Sequence, residues 1–144
     1  MTGMTEEIKR QLLLYGNQAE AFIAHNHIKI TDLGDGTATV TLHLRKESLN
    51  RWHTPHGGVL FTMADVAGGM AALTMRQEIC VTVNASMDFM AAANGDQTLT
   101  AVGRVDRMGG KMCFCTTEIF DGTDQLIARF HSTMYFTGKA LPLA

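Results

Sequence analysis

At 144 residues, 46% of them hydrophobic and 18% charged, the chain is long enough to bury a sizeable core and too apolar for a disordered tail. A formal net charge of −2 with scattered lysines and arginines leaves no electrostatic footprint for nucleic acid. Three cysteines, Cys80, Cys113 and Cys115, have no zinc spacing and read as reduced core or near-core residues.

The N-terminal stretch MTGMTEEIKRQLLLYG carries acids early and lacks a secretory pattern, so the cytoplasm is the expected compartment. One domain is expected over 1–144, with a helix in residues 1–25 packed on its body. That helix is expected over 5–24, with Thr5 as N-cap and Glu6 and Glu7 in the first turn, where acids suit the helix dipole. Ile8, Leu12, Tyr15, Ala19 and Phe22 recur at helical spacing and would form its apolar face, and Gly16 marks a place for it to break. A strand is expected over 28–32. After Gly34-Asp35-Gly36, residues 37–44 alternate, with Ala38, Val40, Leu42 and Leu44 facing in. Residues 45–55 read as a polar loop.

Residues 57–75 read as a helix that is apolar on nearly every side, which is the pattern of a buried helix. Its length suits a bilayer, but Asp65 and four glycines argue against a membrane span. A lone carboxylate in such surroundings costs stability unless it is paired, hydrogen-bonded or protonated. It serves either as a structural cap to a neighbouring loop or as a catalytic group. Four further strands are expected over 79–90, 98–107, 112–120 and 125–136, separated by turn signals at Asn94-Gly95-Asp96, Gly109-Gly110-Lys111 and Asp121-Gly122. Leu99, Ala101, Gly103 and Val105 share one face, as do Leu126, Ala128, Phe130, Met134 and Phe136. The whole is an α+β pattern, an antiparallel sheet wrapped around one long central helix with an extra N-terminal helix.

His56-Gly57-Gly58 opens the central helix, where the first N–H groups lack intrahelical partners and carry the positive dipole end. Glycine leaves those donors uncovered, which is what an oxyanion site requires. Tight packing would equally account for the glycines. Gly57 and Asp65 stand eight residues apart, about 12 Å along a helix axis, too far to serve one carbonyl from the same chain. If both act at one site, Asp65 must come from a second copy, and a two-fold dimer would hold two such sites. Met63, Met70, Met75, Met87 and Met90 read mainly as core filling, with one or two able to line an adaptable pocket. No spacing fixes three metal ligands on one face, and no G-x-S-x-G elbow or phosphate-binding glycine loop occurs, so neither metal nor cofactor is expected.

Asn50, His56-Gly57-Gly58 and Asp65 in a long apolar helix resemble the hot-dog-fold acyl-CoA thioesterases of the PaaI-like, phenylacetate-pathway type. Val81-Thr82-Val83, Asp88-Phe89-Met90, Asn94-Gly95-Asp96 and the turn from Arg107 to Lys111 extend the resemblance over about 44–136. It implies hydrolysis of an acyl- or aryl-CoA, with CoA as part of the substrate. The Gly57 N–H and the Asn50 amide would polarise the thioester carbonyl. Asp65 of the other subunit would be general base or nucleophile, Thr82 would position water or the carboxylate, and His56 would shape the carbonyl end. Gly58, Met90, Gly109, Gly110 and Lys111 would contact substrate, Lys111 as a point charge where relatives commonly have arginine. The resemblance also implies a homodimer that pairs into a homotetramer. Two rivals share the fold: a non-catalytic acyl-CoA-binding module, and a dehydratase, for which His56 is poorly placed.

Overall fold

A computed structural model describes residues 4–18 and 20–143. Its elements run α1 (Glu6–Asn17), α2 (Ala21–His25), β1 (Ile28–Gly34), β2 (Thr37–His43), a single 3-10 turn (Lys46–Ser48), α3 (Gly57–Met75), β3 (Glu78–Phe89), β4 (Thr98–Met108), β5 (Met112–Phe120) and β6 (Leu126–Ala140). The strands form one sheet in the order β1-β2-β4-β5-β6-β3, with every neighbouring pair antiparallel. This is the expected hot-dog arrangement, a sheet curled around α3.

The N-terminal region departs from expectation. One helix over 5–24 is instead two: Asn17, the last residue of α1, turns its side-chain amide to the backbone of β1. Its Nδ2 donates to Ile30 O and its Oδ1 accepts from Ile30 N, each at 2.9 Å. The backbone amide of β1 thereby gains a satisfied edge. The break falls one residue after Gly16, near the place expected, but that glycine also answers to packing: a Cβ there would lie 2.3 Å from Ile30 Cδ1 and 3.0 Å from Met70 Cε, so it lets α1 sit close to β1 and α3. The Thr5 cap is present, its Oγ1 accepting from Ile8 N at 3.1 Å. The apolar face is only partly as read. Leu12 is buried, Tyr15 and Phe22 are exposed, Ile23 is buried in place of Phe22, and Ala19 lies outside the described residues.

The strands differ from expectation mainly at their ends. β1 continues to Gly34, and β6 runs on to Ala140 because Glu78 of β3 pairs there. The expected loop over 45–55 contains the 3-10 turn. β3 holds a bulge at Val83: Thr82 pairs with Met134, yet Asn84 pairs with Thr133. A bulge reverses the alternation beyond it. Thr82 therefore faces α3 from an even position, and Met87 and Phe89 face it from odd ones.

α3 is long and apolar enough to cross a membrane, but much of it is packed into the sheet. Met63, Ala64, Ala67 and Ala71 are fully buried against residues such as Leu42, Leu99, Ile119 and Phe130. Contact is close enough that a Cβ on Gly103 would lie 2.6 Å from Ala67 O. The far end is pinned by polar bonds: Gly36 N donates to Thr74 Oγ1 at 2.9 Å, and Arg76 donates to Gly110 O at 2.7 Å and Gly109 O at 3.1 Å.

The all-round burial read from the composition of α3 is incorrect. Gly58 and Phe61 are exposed, and Thr62, Asp65, Val66 and Gly69 are half-buried, so a continuous stripe at helical spacing stays uncovered. Beside it β3 is an edge strand with Val81 and Val83 exposed. Unpaired sheet edges carrying apolar side chains are templates for association.

Candidate active site

Three sets of predicted residues occur at three levels along α3. The first is its N-terminus. The loop before it is tied by Asn50, whose Oδ1 accepts from Trp52 N at 2.9 Å and Thr54 N at 3.2 Å. Asn50 Nδ2 donates to Thr54 Oγ1 at 2.8 Å. The amide is thus largely engaged in shaping its own loop, with one Nδ2 hydrogen left over. His56 then caps the helix: its Nδ1 accepts from Gly58 N at 2.9 Å, and its carbonyl accepts from Val59 and Leu60. The Gly58 N–H is therefore taken up by this cap and is not a free donor. Gly57 N–H, one position earlier, has no bond of this kind among the described residues.

That amide borders a cavity of about 440 Å³ lined by Asn50, Gly57, Leu60, Phe89, Met90 and Ile127. Phe89 closes on the glycine: a Cβ at Gly57 would lie 3.2 Å from the ring. The structure thus brings Asn50, Gly57 and Met90 together. Phe89 is a further lining residue whose role the alternation of residues 79–90 does not reveal, because the bulge at Val83 decides which way it points.

The second level is Asp65, two turns on. It is half-buried and not enclosed, and Thr82 Oγ1 donates to its Oδ1 at 2.7 Å. The carboxylate is held through Oδ1, and Asp65 lines a cleft of about 740 Å³. Cys80 borders the same cleft, but burial, reinforced by Cys113 and Asp65, pushes its thiol up to about 11. It stays protonated at neutral pH and is a poor nucleophile. Among the described residues no three His, Cys, Asp or Glu side chains converge as a metal site.

The third level is the β4–β5 turn at Gly109, Gly110 and Lys111, beside Arg76 at the C-terminal end of α3. Lys111 is exposed. Arg76, which sequence reading passed over, clamps this turn while its guanidinium lies 4.8 Å from the Phe136 ring centroid. Within one protomer the three levels are separate: Gly57 to Asp65 is about 12 Å along the axis and Asp65 to Arg76 about 16 Å. The open stripe of α3 joins the first two levels and ends at Gly69, since residues 70–74 are buried.

Comparison with known proteins follows the same lines. Residues 53–128 match the family model described as Thioesterase superfamily. The acyl-coenzyme A thioesterase PaaI of Escherichia coli K12 is 29% identical over 115 residues, covering 79% of this chain and 81% of that protein. The solved structure of E. coli PaaI, from the phenylacetic acid degradation operon, superposes with a TM-score of 0.83 at 25% identity, covering 92% of this chain and 98% of that one. A hypothetical thioesterase protein from Streptococcus pneumoniae TIGR4, solved with coenzyme A, gives a TM-score of 0.74 at 25% identity, covering 82% of this chain and 98% of that one.

Proposed function

The chain belongs to the thioesterase superfamily and is a thioester hydrolase, and from that premise we propose that it cleaves acyl-CoA at a site built by two protomers. One observation carries this reading. The free amide of Gly57 and the Thr82-held carboxylate of Asp65 both open to solvent, too far apart to meet within one chain. Two α3 helices lying antiparallel about a two-fold at Phe61 would remove that separation, since Gly57 and Asp65 each stand four residues from it. The unpaired edge of β3, with Val81 48% and Val83 54% exposed, supports continuation of the sheet across the same axis.

In that pairing the thioester oxygen lies at the Gly57 N–H, with the remaining Asn50 Nδ2 hydrogen as second donor. Asp65 of the other protomer accepts a proton from water through Oδ2, while Thr82 holds Oδ1. Water oxygen bonds to the carbonyl carbon, and the resulting oxyanion is stabilised where the helix dipole is positive. Collapse of that intermediate breaks the carbon–sulfur bond, and the proton on Asp65 passes to the departing CoA thiolate. His56, engaged as a cap, shapes the pocket without moving protons through Nδ1. The CoA-bound streptococcal relative supports CoA as the leaving group. Lys111 with Gly109 and Gly110 is suited to its phosphates, because the antiparallel pairing brings that turn toward the start of the partner's α3.

The test is complementation. Gly57→Pro deletes the donor at a position where proline suits a helix start, and His56, at φ −63° and ψ 135°, already has the extended backbone that must precede it. Gly57→Pro and Asp65→Ala are each expected to be inactive. Their co-expressed heterodimer rebuilds one intact site, so a statistical mixture recovers about a quarter of wild-type activity. Verified heterodimers with no recovery would overturn the shared site.

A further inference from the structure

The cleft at Asp65 is longer than hydrolysis requires. It follows α3 from Asp65 past Gly69 to Leu73 and is walled opposite by Tyr15, Phe22 and Ile23 of α1 and α2. Beyond Asp65 the α3 floor carries Val66, Gly69, Met70 and Leu73, without a charge. The other charged residue at the cleft is exposed Glu20, so both charges there are acidic and disfavour an anionic tail. From Asp65 to Leu73 is eight residues, about 12 Å of helix.

Gly69 stands midway along this floor, and packing does not demand it. A Cβ there would find nothing nearer than Met134 Cε at 3.8 Å, an ordinary contact. At neighbouring Gly68 the same atom would press Ser132 Oγ at 3.2 Å. A helix interior disfavours glycine relative to alanine, so its presence at 69 needs another cause.

We infer that this trough holds the substrate's acyl tail, a neutral, straight chain of about ten carbons, since C–C bonds near 1.5 Å advance about 1.25 Å each along an extended zigzag, and that Gly69 sets its depth. The assignment rests on the thioesterase reading above, since the carbonyl must sit at Asp65 for its tail to lie over Gly69. Side chains at 69 rise into the trough and shorten the chain it accepts.

The experiment is thiol release from acetyl-, hexanoyl-, decanoyl- and phenylacetyl-CoA, compared as kcat/KM. Wild type should prefer decanoyl-CoA. Gly69→Leu should lower the decanoyl-to-acetyl ratio by roughly tenfold or more, the scale of a steric mismatch in an apolar pocket. Gly69→Ala, which favours the helix, should move it the same way by less and guards against misfolding of the larger variant. Val102→Ala, on the outer face of the sheet, should keep the wild-type ratio. Unchanged ratios in both Gly69 variants, or a wild type that prefers phenylacetyl-CoA, overturn the trough assignment and leave hydrolysis standing. If no thioester releases thiol, the thioesterase reading falls and the trough assignment falls with it.

Discussion

The two faces of α3 are built from similar residues and answer to different demands. On the sheet side Met63, Ala64, Ala67 and Ala71 are fully buried, and Gly103 lets β4 approach the helix backbone directly. On the other side Gly58, Phe61, Thr62, Asp65, Val66 and Gly69 stay at least partly open. The sheet side tolerates little change in volume, because close-packed interiors transmit even one added methyl. On the open side little of the chain's own packing rests on these residues, so selection there is free to act on chemistry, substrate shape and association. Glycine shows the contrast most clearly: at 103 it is a steric necessity, and at 69 it is an opening.

Substitutions on each face should therefore separate activity from stability. The largest effect is expected at Asp65. Asp65→Asn keeps the shape and a hydrogen bond with Thr82 but cannot take a proton, so kcat/KM for acyl-CoA should fall by about 10²–10⁴, the range for a general base. The melting temperature should hardly move. A variant as active as wild type in a thiol-release assay would remove Asp65 from the mechanism. Thr82→Val comes next: it deletes the donor at 2.7 Å while preserving bulk. Loss of a hydrogen bond to a charged group, about 1.5–3 kcal/mol, corresponds to roughly 10- to 100-fold in rate. The loss should appear in kcat more than KM; a change confined to KM would make Thr82 a binding residue.

The opposite signature is expected on the sheet side. Gly103→Ala places a methyl 2.6 Å from Ala67 O, a backbone atom that cannot rotate away. Overpacking of this kind costs about 1–3 kcal/mol, to be read as a lower denaturation midpoint. Surviving folded enzyme should turn over at close to the wild-type rate. A catalytic loss without destabilisation would show that the two faces are coupled, contrary to the division drawn above.

Parts of this organisation were readable in advance for identifiable reasons. The limits of α3 and β5 follow from strong punctuation, His56-Gly57-Gly58 at one end and Gly109-Gly110 before the strand. The inward faces of β2 and β4 follow from clean alternation. Gly16 marked the neighbourhood of the α1–α2 break, but the contact made there was illegible because it is remote: the Asn17 amide reaches the backbone of Ile30, thirteen residues on. The bulge at Val83 was illegible too, since nothing in Val81-Thr82-Val83-Asn84 distinguishes a bulged strand from a regular one. That bulge turns both Thr82 and Phe89 toward α3. At Asn50 and Gly58, the residue types suggested donors for a ligand, while the folded loop directs most of their hydrogen-bonding capacity inward.

By itself the sequence determined the class of fold, the central apolar helix and the spacing between a glycine at its start and an acid two turns later. Those properties depend on local periodicity and on the fixed rise of an α-helix, which any stretch of chain carries with it. Tertiary structure alone decided which face of that helix stays open, how the Asn50 and Gly58 donors are consumed and which way Phe89 points. Each of these depends on what lies across space, and residues distant in sequence set it through contact, not pattern.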